Sequence, residues 1–475
     1  MNAFLVLLAL TLSVSVSLAS PADGPPAVLL CAVLTASVAL AISRRSTHAR
    51  FLVHVFVAGV IVRVAVGSAI YYSHWQGFFG GDAFTYDYLG STVLGFWRGE
   101  IAPGYYQTMM GIYVARNWGM AYVVALIYAV TGPNMLAVQF FNAVVGAATA
   151  PVIFLCARHI FQNLRVAKLA ALFVAFFPSL VLWSSQGLKD GPIVFLLAAA
   201  MLATLKLGER LTVKYFALLV FTLYGLFCFR FYIFYMAVAA IVGAFFIGMR
   251  RQTTGGLARQ LVVVLALGLS LTYMGVLRTA SSQVEIYGDL ETVQRSRADL
   301  ARRANSGFAE DIDVSTPSGA LSAIPIGMTY LLFAPFPWQV ANLRQSITLP
   351  EMFVWWGSFP LLVIGIWFTI KYKLRQALPI LIFTTMLTLA YSIFQGNVGT
   401  AYRQRSQILV FYFIFVAVGA VLVKERRENE KSRRESSRLA ALEALRVERA
   451  TRASLAPVMT HAADVGRRAR DVLKV

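Results

Sequence analysis

Apolar runs of roughly 17–23 residues recur along the chain, a length that lets a helix cross a bilayer core about 30 Å thick. Short hydrophilic breaks separate these runs. Hydrophobic residues make up 58% of the 475 residues, and the mean hydropathy is +0.68. Soluble domains are about 45–50% apolar. The sequence therefore predicts an all-α, polytopic membrane protein.

Positive charge is placed as in a membrane protein rather than a nucleic-acid-binding protein. The net charge is +20, but lysine and arginine cluster in the hydrophilic breaks and in the tail from Lys424 onward. Cytoplasmic loops typically carry this excess of positive charge. We predict that the protein lies in the bacterial inner (plasma) membrane with both termini in the cytoplasm. No nucleic-acid partner is predicted.

The alternation of basic breaks predicts about 12 transmembrane helices. Residues 119–131 are expected to lie flat on the external interface, and residues 323–340, broken by prolines, to be re-entrant or interfacial. A crossing at either place would put basic segments outside. The predicted spans are 1–19, 27–43, 51–71, 135–157, 168–185, 191–207, 215–229, 233–249, 261–277, 352–370, 377–394 and 408–423.

The same reading divides the chain into regions. A transmembrane core is expected to carry a long first external loop, and a later polar insert to form a small external helical subdomain. The tail is basic and has helical periodicity. The predicted regions are an N-terminal transmembrane hairpin (1–50), a transmembrane core (51–277) with its first external loop (72–134), an external insert with a re-entrant or interfacial segment (278–351), C-terminal transmembrane helices (352–423) and a cytoplasmic basic helical tail (424–475).

Cysteine and histidine give no metal pattern. Cys31, Cys156 and Cys228 lie inside apolar runs, and the five histidines show no paired spacing. The sequence indicates no definite cofactor, and a divalent metal stays open although no clear ligand set supports it.

Unusual polar residues are predicted to meet at the external face. Side chains from several loops at one membrane face can build a single site. A carboxylate at the mouth of a membrane helix is costly to desolvate, so these residues suggest function. The loops carry Asp82 and Asp87, Lys189 and Asp190, Arg230, and the segment 395–405 with Arg403 and Arg405.

The order of these motifs resembles the GT-C glycosyltransferases, which include protein O-mannosyltransferases and lipid A aminoarabinose transferases. The resemblance covers roughly residues 51–275. Ala83 stands where an acidic residue often follows the aspartate of that family. Segment 396–403 also resembles part of uncharacterised bacterial envelope-polysaccharide membrane proteins. The motifs are Arg63 within a span, Gly81-Asp82-x-x-x-Tyr86, the interfacial helix, the basic turn 158–168, and Phe177-Pro178 leading to Lys189-Asp190.

The resemblance implies an inverting transfer of a sugar from a polyprenyl-phosphate donor to a hydroxyl of an acceptor glycan or glycolipid at the external (periplasmic) face, in cell-envelope biosynthesis. Membrane lipid is the other expected partner. By motif match Asp82 is the catalytic base. The expected phosphate ligands are Lys189, Arg230, Arg403 and Arg405. The expected substrate-binding or supporting residues are Arg63, which should pair with an acidic loop residue, Tyr86, Asp87 and Asp190.

Structural roles compete with these functional ones. Asp82 and Asp190 stand near helix starts, where carboxylates often cap. Lys189 and Arg230 could extend to lipid headgroups. Glu351 is expected to pair with Arg344 rather than to act in catalysis.

Other functions stay open. A polymerase or ligase using polyprenyl-diphosphate oligosaccharides would need the same arginines. A lipid or polysaccharide flippase would place charges at mid-depth in several spans, and a scaffold would recruit a partner through its basic tail.

Overall fold

The computed structural model describes residues 3–113, 118–248, 254–276, 289–302, 306–309, 311–340 and 343–472. Helices dominate these residues, which contain no β-strand and one isolated bridge, Gly307 to Asn397. The all-α prediction is confirmed. Contacts divide the chain into two units, Met1–Gly419 and Ala420–Val475.

The first half of the chain packs around a long central helix. Helix α8 contacts α2, α3, α9 and α11 and is buried along most of its length. The helices are α1 (Ala3–Ala19), α2 (Gly24–Arg45), α3 (Ala49–Tyr72), α4 (Gln76–Phe79), α5 (Asp82–Trp97), α6 (Pro103–Tyr113), α7 (Gly119–Thr131), α8 (Met135–Phe161), α9 (Leu164–Phe176), α10 (Pro178–Ser184) and α11 (Asp190–Glu209).

The second half adds apolar helices, the polar insert and the tail. Helix α18 packs against α13 and α16. A 3₁₀ turn, Pro337–Gln339, follows α16. The helices are α12 (Val213–Phe229), α13 (Phe231–Gly248), α14 (Thr254–Tyr273), α15 (Leu290–Arg302), α16 (Pro317–Phe333), α17 (Leu343–Tyr372), α18 (Leu374–Phe394), α19 (Val398–Gln404) and α20 (Ser406–Val472).

Seven helices in the described ranges are long and apolar enough to cross a membrane. An eighth is obtained if α9 and α10, bent by 53°, count as one span. The multi-pass prediction is confirmed, whereas the count of twelve and the orientation stay predictions. The seven are α2, α3, α8, α11, α17, α18 and the first part of α20.

Two segments predicted not to cross normally are short apolar helices. Helix α7 has 13 residues, about 20 Å by the rise of an α-helix. Helix α16 begins at Pro317, earlier than the boundary near 323, because the Thr316 side chain accepts a hydrogen bond from the Gly319 amide and a proline is favoured at the first position. It ends at Phe333, before a cis Ala334–Pro335 bond. Whether either lies at the interface stays a prediction.

The tail unit, Ala420–Val475, is helical through Val472. Its described side chains up to Val447 are largely exposed. Pairs at i and i+4, Lys424 with Glu428 and Arg426 with Glu430, stabilise a solvated helix modestly.

Arg63 holds the bend between α9 and α10. Pro178 has no amide hydrogen, so the carbonyl of Val174 loses its helical donor. The Arg63 guanidinium, 1% exposed, donates to Val174 O at 3.3 Å, Ala175 O at 2.8 Å and Ser184 Oγ at 2.7 Å. The expected acidic partner is thus replaced by backbone carbonyls, because broken backbone at membrane depth must find donors inside the protein.

The loop after α10 is fixed from α8. Asn142 Nδ2 donates to Gln186 O at 2.6 Å and to Leu188 O at 2.7 Å. Ser185 backbone lies so close to Gly67 of α3 that a side chain there would clash. These contacts deliver Lys189 and Asp190 to the start of α11.

Replacing Arg63 should destabilise the fold. In Arg63→Met the two carbonyls and Ser184 Oγ lose their donor, and each buried unsatisfied polar group costs about 1–3 kcal/mol. We expect the free energy of unfolding in detergent micelles to fall by about 3 kcal/mol or more. Arg98→Met, at an exposed position, is the control. Equal unfolding midpoints for both variants would contradict the role of Arg63.

Candidate active site

Asp82 opens α5 but does not cap it. Gly80 joins α4 to this helix with a φ of 148°, a conformation that favours glycine. Gly81 is the N-cap residue and makes no side-chain cap. The Asp82 carboxylate, 53% exposed, instead accepts a hydrogen bond from Arg403. A side chain left half in solvent can still meet a substrate.

Arg403 bridges Asp82 and Asp190. Its Nη1 lies 2.7 Å from Asp82 Oδ2, while its Nε lies 2.7 Å and its Nη2 2.6 Å from Asp190 Oδ2. Asp190 is 1% exposed and Arg403 15% exposed. Asp190 therefore anchors a guanidinium rather than capping α11, where no side-chain cap forms.

Arg230 and Lys189 add positive charge beside this bridge. Arg230, in the tight turn between α12 and α13, has its Nη2 3.7 Å from Asp190 Oδ1. Its Nη1 is buried without a hydrogen-bond partner among the described residues. Lys189 Nζ lies 5.9 Å from the centre of the Tyr86 ring.

The pKa values follow from this crowding of cations and carboxylates. Burial, with Arg230 close by, lowers the pKa of Lys189 to about 8, so the amine is largely protonated at neutral pH. Burial alone would lower the pKa of Arg403, but Asp190 and Asp82 outweigh it and raise that pKa. Three cations face two carboxylates, so the cluster keeps an excess of positive charge.

A cleft of about 750 Å³ opens over the bridge and is called the Asp82 cleft below. Its walls combine cations with aromatic rings, as a site for a charged and partly apolar ligand requires. Arg403 also lies over the Trp183 ring, 5.7 Å from its centre. The lining includes Asp82, Arg230, Arg344, Arg403, Phe78, Phe79, Trp183, Asn397, Tyr402 and Gln404.

The insert holds the turn that carries Arg403. Phe308 N donates to Gly396 O at 2.9 Å, and Val398 N donates to Ser306 O at 3.0 Å. From α15, buried Arg297 donates to Ile312 O at 2.9 Å. The two backbone hydrogen bonds between residues 306–308 and 396–398 fix the start of α19, and no pattern in the sequence indicates them.

Arg405 points away from the cleft. Residues two apart on a helix face opposite sides, so Arg403 and Arg405 cannot share one site through α19. Arg405 donates to Leu332 O at 2.9 Å and Ala334 O at 3.1 Å. There it satisfies carbonyls at the end of α16 and complements the negative end of its dipole.

The four residues predicted to bind substrate or support the site also differ in where they lie. Asp87 accepts a hydrogen bond from the Tyr128 hydroxyl, away from the cleft lining. Tyr86 lies beside Lys189, and its hydroxyl pKa is raised by burial and then by Asp82 and Asp190. Arg63 holds the α9–α10 bend as described. Asp190 alone of the four contacts Arg403.

Arg344 is the cleft residue that sequence reasoning missed. Its Nη2 donates to Gly77 O at 3.3 Å, and its guanidinium lies 5.1 Å from the centre of the Phe78 ring. Glu351, its expected partner, instead accepts from the Tyr402 hydroxyl at 2.7 Å. The sequence feature that could have indicated Arg344 is a single arginine between the polar insert and an apolar run. Within the described residues, no group of three or more His, Cys, Asp and Glu could hold a metal.

Removing the two carboxylates should affect stability very differently. In Asp190→Asn the buried guanidinium of Arg403 loses its main counter-charge, and breaking a buried pair costs about 3–5 kcal/mol. In Asp82→Asn an exposed partner is lost, which costs about 1 kcal/mol or less. Denaturant unfolding in detergent measures both. Equal losses would contradict Asp190 as the structural anchor.

The archaeal oligosaccharyltransferase AglB from Archaeoglobus fulgidus, solved in complex with an inhibitory peptide and a dolichol-phosphate, is similar with a TM-score of 0.39 and 14% sequence identity. The alignment covers 68% of this chain and 44% of that one, so the chain spans less than half the length of the archaeal protein. No curated protein matches at a significant level.

One family matches part of the chain. The match covers residues 118–274, about a third of the sequence, and carries the description dolichyl-phosphate-mannose-protein mannosyltransferase. Lys189, Asp190 and Arg230 lie inside this range, and Asp82 and Arg403 lie outside it. Over residues 118–274 the chain is therefore similar to the protein mannosyltransferases, which confirms the GT-C resemblance predicted from its sequence.

Proposed function

We propose that the protein is a membrane glycosyltransferase that moves a sugar from a polyprenyl-phosphate-linked donor to an acceptor hydroxyl. The observation that carries the proposal is a half-exposed carboxylate, Asp82, in one cleft with the guanidinium groups of Arg230, Arg344 and Arg403. The family match over residues 118–274 supports the same reaction class. The acceptor is a glycan or glycolipid of the cell envelope, met at the external face.

The arginines are proposed to hold the donor phosphate. Guanidinium groups bind phosphate through paired hydrogen bonds. Arg230 has one buried Nη1 without a partner among the described residues, and Arg344 makes one long hydrogen bond, so both have donors to offer. Lys189 adds a protonated amine nearby.

In the proposed reaction the acceptor hydroxyl attacks the anomeric carbon while Asp82 takes its proton. The bond from that carbon to the phosphate oxygen breaks, and the polyprenyl phosphate leaves with the electron pair. Cations beside the leaving oxygen stabilise its developing charge. Base and leaving group act on opposite sides of the sugar, so the anomeric configuration inverts. Arg403 orients the Asp82 carboxylate through its 2.7 Å hydrogen bond.

A second candidate is a polymerase or ligase that uses a polyprenyl-diphosphate oligosaccharide. Three arginines in one cleft suit two phosphates, and a volume of about 750 Å³ would accept more than one sugar. Proteoliposomes supplied in parallel with monophosphate and diphosphate donors distinguish the two. Transfer only from the diphosphate donor would replace the first proposal with the second, and transfer from neither would favour a flippase or a scaffold.

Asp82→Asn should abolish most of the transfer. A positioned base contributes about 10²–10⁴-fold, so kcat/KM should fall by that factor while the protein stays folded. The measurement is transfer from a radiolabelled polyprenyl-phosphate sugar in proteoliposomes. Glu100→Gln, another exposed carboxylate, is the control and should keep wild-type activity. Full activity in Asp82→Asn would remove Asp82 as the base.

Arg344→Gln should weaken donor binding and leave chemistry nearly intact. We expect the KM for the donor to rise about tenfold, equivalent to about 1.4 kcal/mol, with little change in kcat. Arg344 is exposed and bonds weakly to the fold, so stability should not change. Arg375→Gln, exposed and absent from the cleft lining, is the matched control. Equal donor KM values in the two variants would exclude Arg344 from the donor site.

A further inference from the structure

A second basic depression lies at the other end of α3. Its volume is about 560 Å³, and it is defined by Thr47, His48, Arg50, Phe51, His54 and Lys168; it is called the His48 pocket below. Helix α3 has 24 residues and is about 36 Å long. The Asp82 loop follows the carboxyl end of this helix, so pocket and cleft are separated by roughly one bilayer core.

Four of the six residues that line the His48 pocket are positive or protonatable, and none of the six is acidic. Arg50 is exposed, and no carboxylate of the described residues forms an ion pair with Arg50 or Lys168. Lys168 Nζ lies 5.2 Å from the centre of the Phe51 ring, which places its charge over an aromatic surface. The cations therefore keep their capacity for an external anion.

The pocket is built rather than a loose group of surface charges. His48 packs edge-on against Phe154 of α8, with ring centres 5.7 Å apart, and Phe51 lies 6.1 Å from the same ring. His54 is held by a hydrogen bond from its Nδ1 to Arg50 O. Phe51 therefore forms an aromatic floor beside the cations of α3 and α9, and buried Phe154 of α8 supports it without lining the pocket.

We propose that the His48 pocket binds the phosphate-bearing head group of an anionic phospholipid. Basic pockets between membrane helices bind such head groups, and each lysine or arginine near the surface contributes about 1 kcal/mol. The aromatic floor suits a ligand whose phosphate continues into glycerol and acyl chains, which a soluble phosphate lacks. The inference is independent of the proposed transfer reaction.

The test uses the full chain in detergent with equal amounts of phosphatidylcholine and phosphatidylglycerol, followed by native mass spectrometry of the retained lipids. Wild type should retain about tenfold more phosphatidylglycerol than phosphatidylcholine, and Arg50→Gln with Lys168→Gln should bring the ratio close to one. Arg44→Gln with Arg45→Gln, on the neighbouring helix end, is the matched control and should keep the preference.

Other outcomes would overturn the proposal. Loss of the preference in the control pair would mean general surface attraction. Loss in Arg344→Gln would place the lipid in the Asp82 cleft. Displacement of the lipid by millimolar inorganic phosphate would make the ligand a soluble phosphate. An unchanged ratio in Arg50→Gln with Lys168→Gln, eluting as a folded monodisperse protein, would show that the pocket binds no anionic lipid.

Discussion

The candidate site depends on one guanidinium that two carboxylates share. Arg403 contacts buried Asp190 on one side and exposed Asp82 on the other. Forming the buried contact costs desolvation free energy, since both ions leave water. The contact fixes the position of Arg403. Arg403 in turn contacts Asp82, so that the Asp82 side chain lies at the cleft in a defined orientation. Three separate chain segments therefore meet through a single side chain.

Other buried arginines donate hydrogen bonds to backbone carbonyls instead of pairing with carboxylates. Arg63 donates to carbonyls freed at Pro178, Arg405 to carbonyls at the end of α16, and Arg297 to carbonyls of the insert. Each lies where a helix breaks or the backbone is irregular, and buried carbonyl groups at such places need hydrogen-bond donors. Arginine suits this task because one side chain presents five donors in a fixed plane. Buried arginine in this chain thus has two distinct uses.

The sequence predicted the architecture and part of the site. Hydropathy predicted the all-α, multi-pass character. The alternation of basic breaks along the chain predicted that four residues lie at the same face, and the structure brings them together: Asp82, Asp190, Arg230 and Arg403. It could not separate Arg403 from Arg405, because that requires knowing that residues 398–404 are helical. Nor could the sequence predict the partners of Arg63 or the position of Arg344. Both residues bond to backbone carbonyls far away along the chain, and such contacts leave no local sequence pattern.

The pairing of the insert with the turn before α19 affects how the two segments can evolve. Residues 306–308 and 396–398 exchange backbone hydrogen bonds, and Arg297 spans the insert itself. The paired positions are constrained, because an added side chain at Gly396 would clash with the backbone of Arg297 and the Asn397 side chain caps α19. The insert's exposed surface is free to diverge. Its length and its buried arginine are not, because a shift of one residue would move the cleft wall. The insert can therefore change its exposed surface without changing the position of Arg403.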